Sequence, residues 1–179
     1  MLPEDVLRGA KLLHSASEVD AALERMAEQI TADLPQRHPV VVAVMNGGAF
    51  TAVNLCRHFR FVYEFDFVHA SRYGRSLEGG ALEWRVRPRT NLAGRTVLLV
   101  DDVLDKGNTL AALREEFMGI GVSELFTAVL VSKRLADESA RPSVDYTAIE
   151  TDDVYLFGCG MDYAGYWRGL PELYAIDHE

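Results

Sequence analysis

The sequence predicts an α/β fold: a mostly parallel, twisted sheet flanked by helices. Three observations carry this expectation. The apolar runs "PVVVAVM" (39–45), "VLLV" (97–100) and "ELFTAVLVSK" (124–133) have strand length and are rich in valine and leucine, the composition of strands buried on both faces. Helix-patterned segments alternate with these runs, as they do in βα units. Two of the runs lead into polar, glycine-containing turns, Asn46-Gly47-Gly48 and Asp101 to Thr109, and parallel sheets bind ligands at such carboxyl ends.

Taken in order, "SEVDAALERMAEQITA" (17–32) reads as an amphipathic helix. Ser17 and Asp20 stand at capping-box spacing, and Val19, Ala22, Leu23, Met26 and Ile30 recur at helical intervals. After the strand at 39–45, a second helix is expected from Ala49 to His58. "FVYEFDFVHA" (61–70), aromatic and β-branched, predicts another strand. Residues 71–95 break the rhythm with Gly74, Gly79, Gly80, Pro88 and Gly94, and within them "ALEWRVR" predicts a flap or hairpin strand. A helix from Thr109 to Met118 places Leu110, Leu113 and Phe117 on one face, with Gly119 and Gly121 beyond its end. Short apolar runs at 144–149, 154–157 and 173–176 complete the chain. No internal repeat, low-complexity tract or linker interrupts it, so one domain is expected over 1–179.

Composition narrows the function classes. The 179 residues are 49% hydrophobic and 25% charged, ordinary for a globular protein. A net charge of -9 argues against a surface built to grip nucleic acid. The two cysteines, Cys56 and Cys159, form no CxxC pattern, which argues against structural zinc and suits a reducing, cytoplasmic setting. No run approaches the roughly 20 apolar residues of a membrane span, and no signal-peptide pattern opens the chain.

The stretch "TVLLVDDVLDKGNTL" (96–110) carries the chemistry. Asp101 and Asp102 follow an apolar strand, and a third acid, Asp105, comes three residues later. Clustered like charges repel and cost free energy to desolvate, so they call for a cation or a polyhydroxylated ligand. "DKGNT" joins the strand to a helix N-terminus, where unpaired N–H groups and the helix dipole favour an anion; Gly107 admits close backbone approach and Thr109 adds a hydroxyl. There is no GxxxxGK[ST] pattern, so a nucleoside triphosphate loop is not indicated. A sugar phosphate bridged between the acidic pair and the helix end is the natural combined ligand.

"VLLVDDVLDKGNT" resembles the phosphoribosyl diphosphate (PRPP) signature of type I phosphoribosyltransferases. "VVAVMNGGAF", "DFVHASRYG", "VSKR" and "DDVYLFGCGMDYAGYWRGLPELYAI" resemble, in order and spacing, hypoxanthine-guanine phosphoribosyltransferases over residues 12–177. The resemblance implies the type I phosphoribosyltransferase fold, with a flexible active-site loop at about 71–95 and a small hood from about 1–16 and 150–179. It implies Mg²⁺, a homodimer or homotetramer, and transfer of ribose 5-phosphate from PRPP to a 6-oxopurine with release of pyrophosphate. By resemblance Asp101 and Asp102 hold the ribose hydroxyls directly or through Mg²⁺, and Asp105 is the general base. Asp105, Lys106, Gly107, Asn108 and Thr109 cradle the 5′-phosphate. Met45, Asn46 and Gly47, with Arg168, meet pyrophosphate, in a loop where the family often has a non-proline cis peptide. Lys133 donates to the exocyclic oxygen, Tyr155 stacks on the purine, Leu156 contacts the base edge through its backbone, and Asp162 lies at the purine as a Mg²⁺ ligand. Ser71, Arg72 and Tyr73 begin the closing loop. Two positions depart from the pattern: Asn46 stands where many relatives have lysine, and Val154 where some have a basic residue.

Two other classes compete. A purine or PRPP sensor on the same fold would tolerate Asn46 but has less need of Asp105, Lys133 and Asp162. A phospho-receiver domain shares "VLLVDD" but carries that acidic pair near its start, whereas here it lies mid-chain.

Overall fold

The computed structural model describes residues 3–72, 82–139 and 141–176. In chain order the elements are α1 (Pro3–Gly9), β1 (Lys11–His14), α2 (Ala16–Asp33), β2 (Val40–Val44), α3 (Gly47–Cys56), β3 (Glu64–Arg72) and β4 (Leu82–Val86). They continue with β5 (Thr96–Leu104), α4 (Asn108–Gly119), β6 (Glu124–Arg134), β7 (Tyr146–Asp152), β8 (Tyr155–Phe157) and β9 (Leu173–Ile176).

Six strands form the central sheet in the order β4-β3-β2-β5-β6-β7. All neighbours are parallel except β4, which returns antiparallel to β3. From β2 the chain moves to β3 on one side and later to β5 on the other, so the carboxyl ends of β2 and β5 flank the topological switch point, where such sheets bind ligands.

Burial explains why these runs are strands. Val40 to Val44 and Val97 to Val100 are buried without interruption, because helices cover both faces. Alternate β5 residues serve opposite layers: Leu98 and Val100 pack with α2 and α3 through Leu23, Ile30, Ala52 and Leu55. Val97 and Leu99 pack with α4 through Leu110, Leu113 and Phe117. Tyr146 donates its hydroxyl to Asp33 Oδ2 at 2.7 Å, tying β7 to the end of α2.

The chain ends meet in a second, three-stranded antiparallel sheet, β1-β9-β8. It draws strands from residues 11–14 and 155–176 and therefore sits with the carboxyl end of β7, which leads directly into β8. Neither β1 nor α1 shows in the sequence pattern, each being too short to have a period.

Several boundaries differ from expectation for identifiable reasons. The capping box of α2 uses Ser15 and Glu18 rather than Ser17 and Asp20: the Ser15 hydroxyl accepts from Glu18 N–H and Glu18 Oε2 accepts from Ser15 N–H at 2.8 Å. Helix α3 begins at Gly47 instead of Ala49, the two glycines forming its first turn. β3 starts at Glu64 because Phe61 and Tyr63 turn into an aromatic cluster with Phe59, with ring centroids 4.7 and 5.7 Å away. Of the irregular 71–95 stretch, 82–86 pair as β4, and beyond it Arg89 and Thr90 each donate a backbone N–H to Asp66 Oδ2 at 2.7 Å.

Candidate active site

Three chain segments converge on the switch point, and close contacts between backbones define how. Met45, at the end of β2, donates its N–H to Val68 O at 2.7 Å, and a cis peptide joins it to the exposed Asn46. A Cβ on Gly47 would lie 1.7 Å from Asp102 Oδ2, and one on Gly48 2.6 Å from Val100 O. Gly160 (φ +107°) presses on the same turn, since a Cβ there would lie 2.3 Å from Gly47 O. Glycine is required at 47 and 48 by contact, and at 160 by both contact and conformation.

β5 does not end at Val100, as the apolar run suggests. It continues through Leu104, with Asp101 opposite Val129 and Leu104 opposite Ser132. The two acids therefore sit inside a paired strand, whose successive side chains take opposite directions. Asp101 lines a cavity of about 250 Å³ with Asp105, Lys106, Gly107, Asn108 and Thr109. Asp102 lines another, of about 400 Å³, with Asp105, Lys133, Asp153, Tyr155 and Asp162. Burial, and then the neighbouring charge of Asp102, raises the Asp101 carboxyl well above its ordinary range; burial likewise raises Asp102. Such a pair is poised to receive a cation or a row of hydroxyl donors.

The smaller cavity is the mouth of α4. Gly107 is its N-cap in the left-handed conformation (φ +72°), and its carbonyl accepts from Ala111 N–H at 2.9 Å. Asn108, Thr109 and Leu110, in the first turn whose N–H groups have no helical partner, line this space together with Lys106.

In the larger cavity the side chain of Lys133 is only 12% exposed, with Nζ 3.3 Å from Asp153 Oδ1 and 3.9 Å from Asp105 Oδ2. Asp153 was not singled out in the sequence; its signal is an acidic doublet, Asp152-Asp153, at the end of β7. Tyr155 donates its hydroxyl to Asp162 O at 3.0 Å, and its ring meets Tyr163 edge-on with centroids 5.8 Å apart. Leu156 is buried and pairs with Ala175 in the three-stranded sheet. Arg168 forms an ion pair with Asp162 and donates to Gly160 O at 2.7 Å.

The structure thus brings together Met45 to Gly47, Asp101, Asp102, Asp105 to Thr109, Lys133, Tyr155, Leu156, Asp162 and Arg168. Ser71 and Arg72 lie in β3, paired with Glu83 and Leu82, while Tyr73 lies outside the described residues. Among the other arginines of the 71–95 stretch, Arg87 pairs with Glu116 at 2.9 Å and Arg95 with Glu64 at 3.1 Å, so both serve the surface of the sheet. A cavity of about 420 Å³ between α2, α3 and residues 159–171 is larger but lacks convergent acids.

Among the described residues no three His, Cys, Asp or Glu side chains form a ready metal cluster. Asp162 is ion-paired with Arg168 and lines the larger cavity together with Asp102. Two hard carboxylates still fit Mg²⁺, which binds through one or two protein carboxylates and fills its shell with water and substrate oxygens.

Fold and site together set a helix N-terminus and an acidic pair at a switch point, the arrangement of a sugar-phosphate-binding α/β protein, and comparison assigns the family. The chain belongs to the phosphoribosyl transferase domain family, whose model matches residues 10–164. Within that family it is similar to the hypoxanthine-guanine phosphoribosyltransferase of Streptococcus pyogenes serotype M3, 27% identical over 180 residues that span 100% of this chain and 98% of that protein. It is also similar to the crystal structure of a Bacillus anthracis hypoxanthine-guanine phosphoribosyltransferase (27% identity, TM-score 0.84, covering 92% of this chain and 95% of that one). A third likeness is to a variant of the Trypanosoma cruzi hypoxanthine phosphoribosyltransferase complexed with the product IMP (25% identity, TM-score 0.84, covering 94% of this chain and 92% of that one).

Proposed function

We propose that the protein is a purine-salvage phosphoribosyltransferase that joins hypoxanthine or guanine to the ribose 5-phosphate of PRPP and releases pyrophosphate. One observation carries the reading: a phosphate-sized cavity at a helix N-terminus and a lysine-marked cavity share Asp105 and Lys106 and are joined by the Asp101–Asp102 pair. A nucleotide spans that arrangement, with its phosphate on α4, its ribose at the acids and its base at Lys133. The names of the similar proteins support the choice of base.

In this reading Asp105 to Thr109 hold the 5′-phosphate, and Asp101 and Asp102 hold the ribose hydroxyls and Mg²⁺. Mg²⁺ bound by these carboxylates would supply positive charge that favours the departure of pyrophosphate. Met45 to Gly47 and Arg168 hold pyrophosphate, and Asp162 reaches the base or the metal on release from Arg168. Lys133 donates to the 6-oxo group, which disfavours adenine because a donor would face its amino group. Tyr155 stacks on the purine and Leu156 offers its backbone to the edge. Asp105, next to Lys133, takes the purine proton as the bond to the ribose forms. No observation favours the sensor reading.

A reducing, cytoplasmic setting suits the thiols of Cys56 and Cys159, which burial raises to about 11 and about 12; no described helix is long and apolar enough to cross a membrane.

The test is Mg²⁺-dependent pyrophosphate release from PRPP with hypoxanthine, guanine, xanthine and adenine in parallel. Turnover with 6-oxopurines and not adenine supports the reading and names the base. PRPP binding without turnover on any base refutes it in favour of a sensor and makes Asn46→Lys the next variant.

A further inference from the structure

The loop between β6 and β7 holds a buried cation that neither the cavities nor the acidic motif calls for. The Arg141 side chain is 8% exposed. Its Nη1 donates to Lys133 O at 2.6 Å, and its Nη2 donates to Leu104 O and to Ser132 Oγ at 3.0 Å. Leu104 is the residue immediately before the Asp105–Thr109 turn, and Lys133 is the lysine of the larger cavity. One planar guanidinium therefore bridges the backbones that present the two halves of the site. The next residue extends the brace, since a Cβ on Gly107 would lie 2.6 Å from Pro142 Cδ and Cγ.

Stability alone does not explain this. Glu138, 3.0 Å away and half exposed, is the ion partner of Arg141, and Arg141 Nε is buried without a hydrogen-bond partner among the described residues. A buried ion pair is often replaceable by well-packed apolar side chains at no loss of stability. What an apolar side chain cannot do is hold two carbonyls at a set separation, which a rigid fork of donors does.

We infer that Arg141 is a positioning residue, one that sets the distance between the 5′-phosphate turn and Lys133 so that a single nucleotide reaches both. The inference rests on the phosphoribosyltransferase reading above. Neither of its carbonyl contacts touches the Met45–Gly48 turn, so its effect falls on the nucleotide and spares pyrophosphate.

The experiment compares the parent protein with Arg141→Met, Arg141→Lys and Arg141→Ala. IMP is the calorimetric probe, and pyrophosphate KM is measured in the reverse reaction. The expected result is parent-like folding by near-ultraviolet circular dichroism, IMP binding weakened by about tenfold or more in the Met and Lys variants, and a pyrophosphate KM within about twofold of parent. Ethylguanidinium at millimolar concentration should restore IMP binding to Arg141→Ala. IMP binding within twofold of parent, equal weakening of IMP and pyrophosphate, or failure of all variants to fold would each overturn the positioning role. A parent that neither binds IMP nor turns over would instead sink the functional reading itself, which separates the two failures.

Discussion

Asp101 shows how much chemistry a single residue can concentrate. Its carboxyl is raised by burial and by Asp102, so in the metal-free protein its ionised form opposes folding. Well below about pH 4 the acid is protonated in folded and unfolded chains alike, and there is no penalty. As pH rises from there toward the raised folded value, the unfolded chain ionises first and stability falls. Asp101→Asn, measured by denaturant unfolding in EDTA, should therefore match the parent near pH 3 and be more stable than the parent at pH 7.5. Mg²⁺ with PRPP should raise the Tm of the parent and not of the variant. Equal stability across that range would show that the acids are not electrostatically strained. At Lys133 the loss should appear in catalysis. Lys133→Ala is expected to lower kcat/KM for hypoxanthine by about 10- to 100-fold, the worth of a charged hydrogen bond, and to narrow the preference over adenine.

Among the elements, the junction of α3 with β5 has the least tolerance. Gly47 and Gly48 open α3 so close to β5 that a methyl on Gly47 would overlap the Asp102 carboxylate. Gly47→Ala should destabilise by about 1–3 kcal/mol, the usual penalty for forced overpacking, and should raise the KM for PRPP, because the displaced groups are Asp102 and the Asn46 turn. A contrasting site is Gly119, where an added Cβ meets nothing within 4 Å. Gly119→Ala serves as the control and should leave KM unchanged. If both substitutions behave alike, the contact at Gly47 has been misread.

For the whole molecule, the central sheet is covered unevenly. Odd-numbered β3 residues share the α2–α3 face with Val41 and Ala43, their register partners. Phe65 and Phe67 there remain 45% and 42% exposed, and Val53 on α3 is 55% exposed. Apolar side chains left open on one face of a sheet suit contact with a second copy of the chain. The Phe65→Ser, Phe67→Ser double variant should sediment as a smaller species than the parent at micromolar concentration. An unchanged sedimentation coefficient would show that no second copy docks on this face.

The sequence by itself determined the strands β2, β5 and β6, the helices α2 and α4, and the turns that end in Asn46-Gly47-Gly48 and Asp105 to Thr109. Each of these is a contiguous pattern, because apolar period, capping residues and turn chemistry act between neighbours in the chain. Only the tertiary structure decided that Asp101 and Asp102 lie within β5 and line different cavities, since the end of a strand is set by its partner β6 and not by its own hydrophobicity. Nor could sequence patterns alone bring Asp153 to Lys133 or place Arg141 across Leu104 and Lys133, and the meeting of residues 11–14 with 173–176 was legible only through the family resemblance. Those contacts link positions far apart in the chain, and a long-range hydrogen bond leaves no period in the residues that make it.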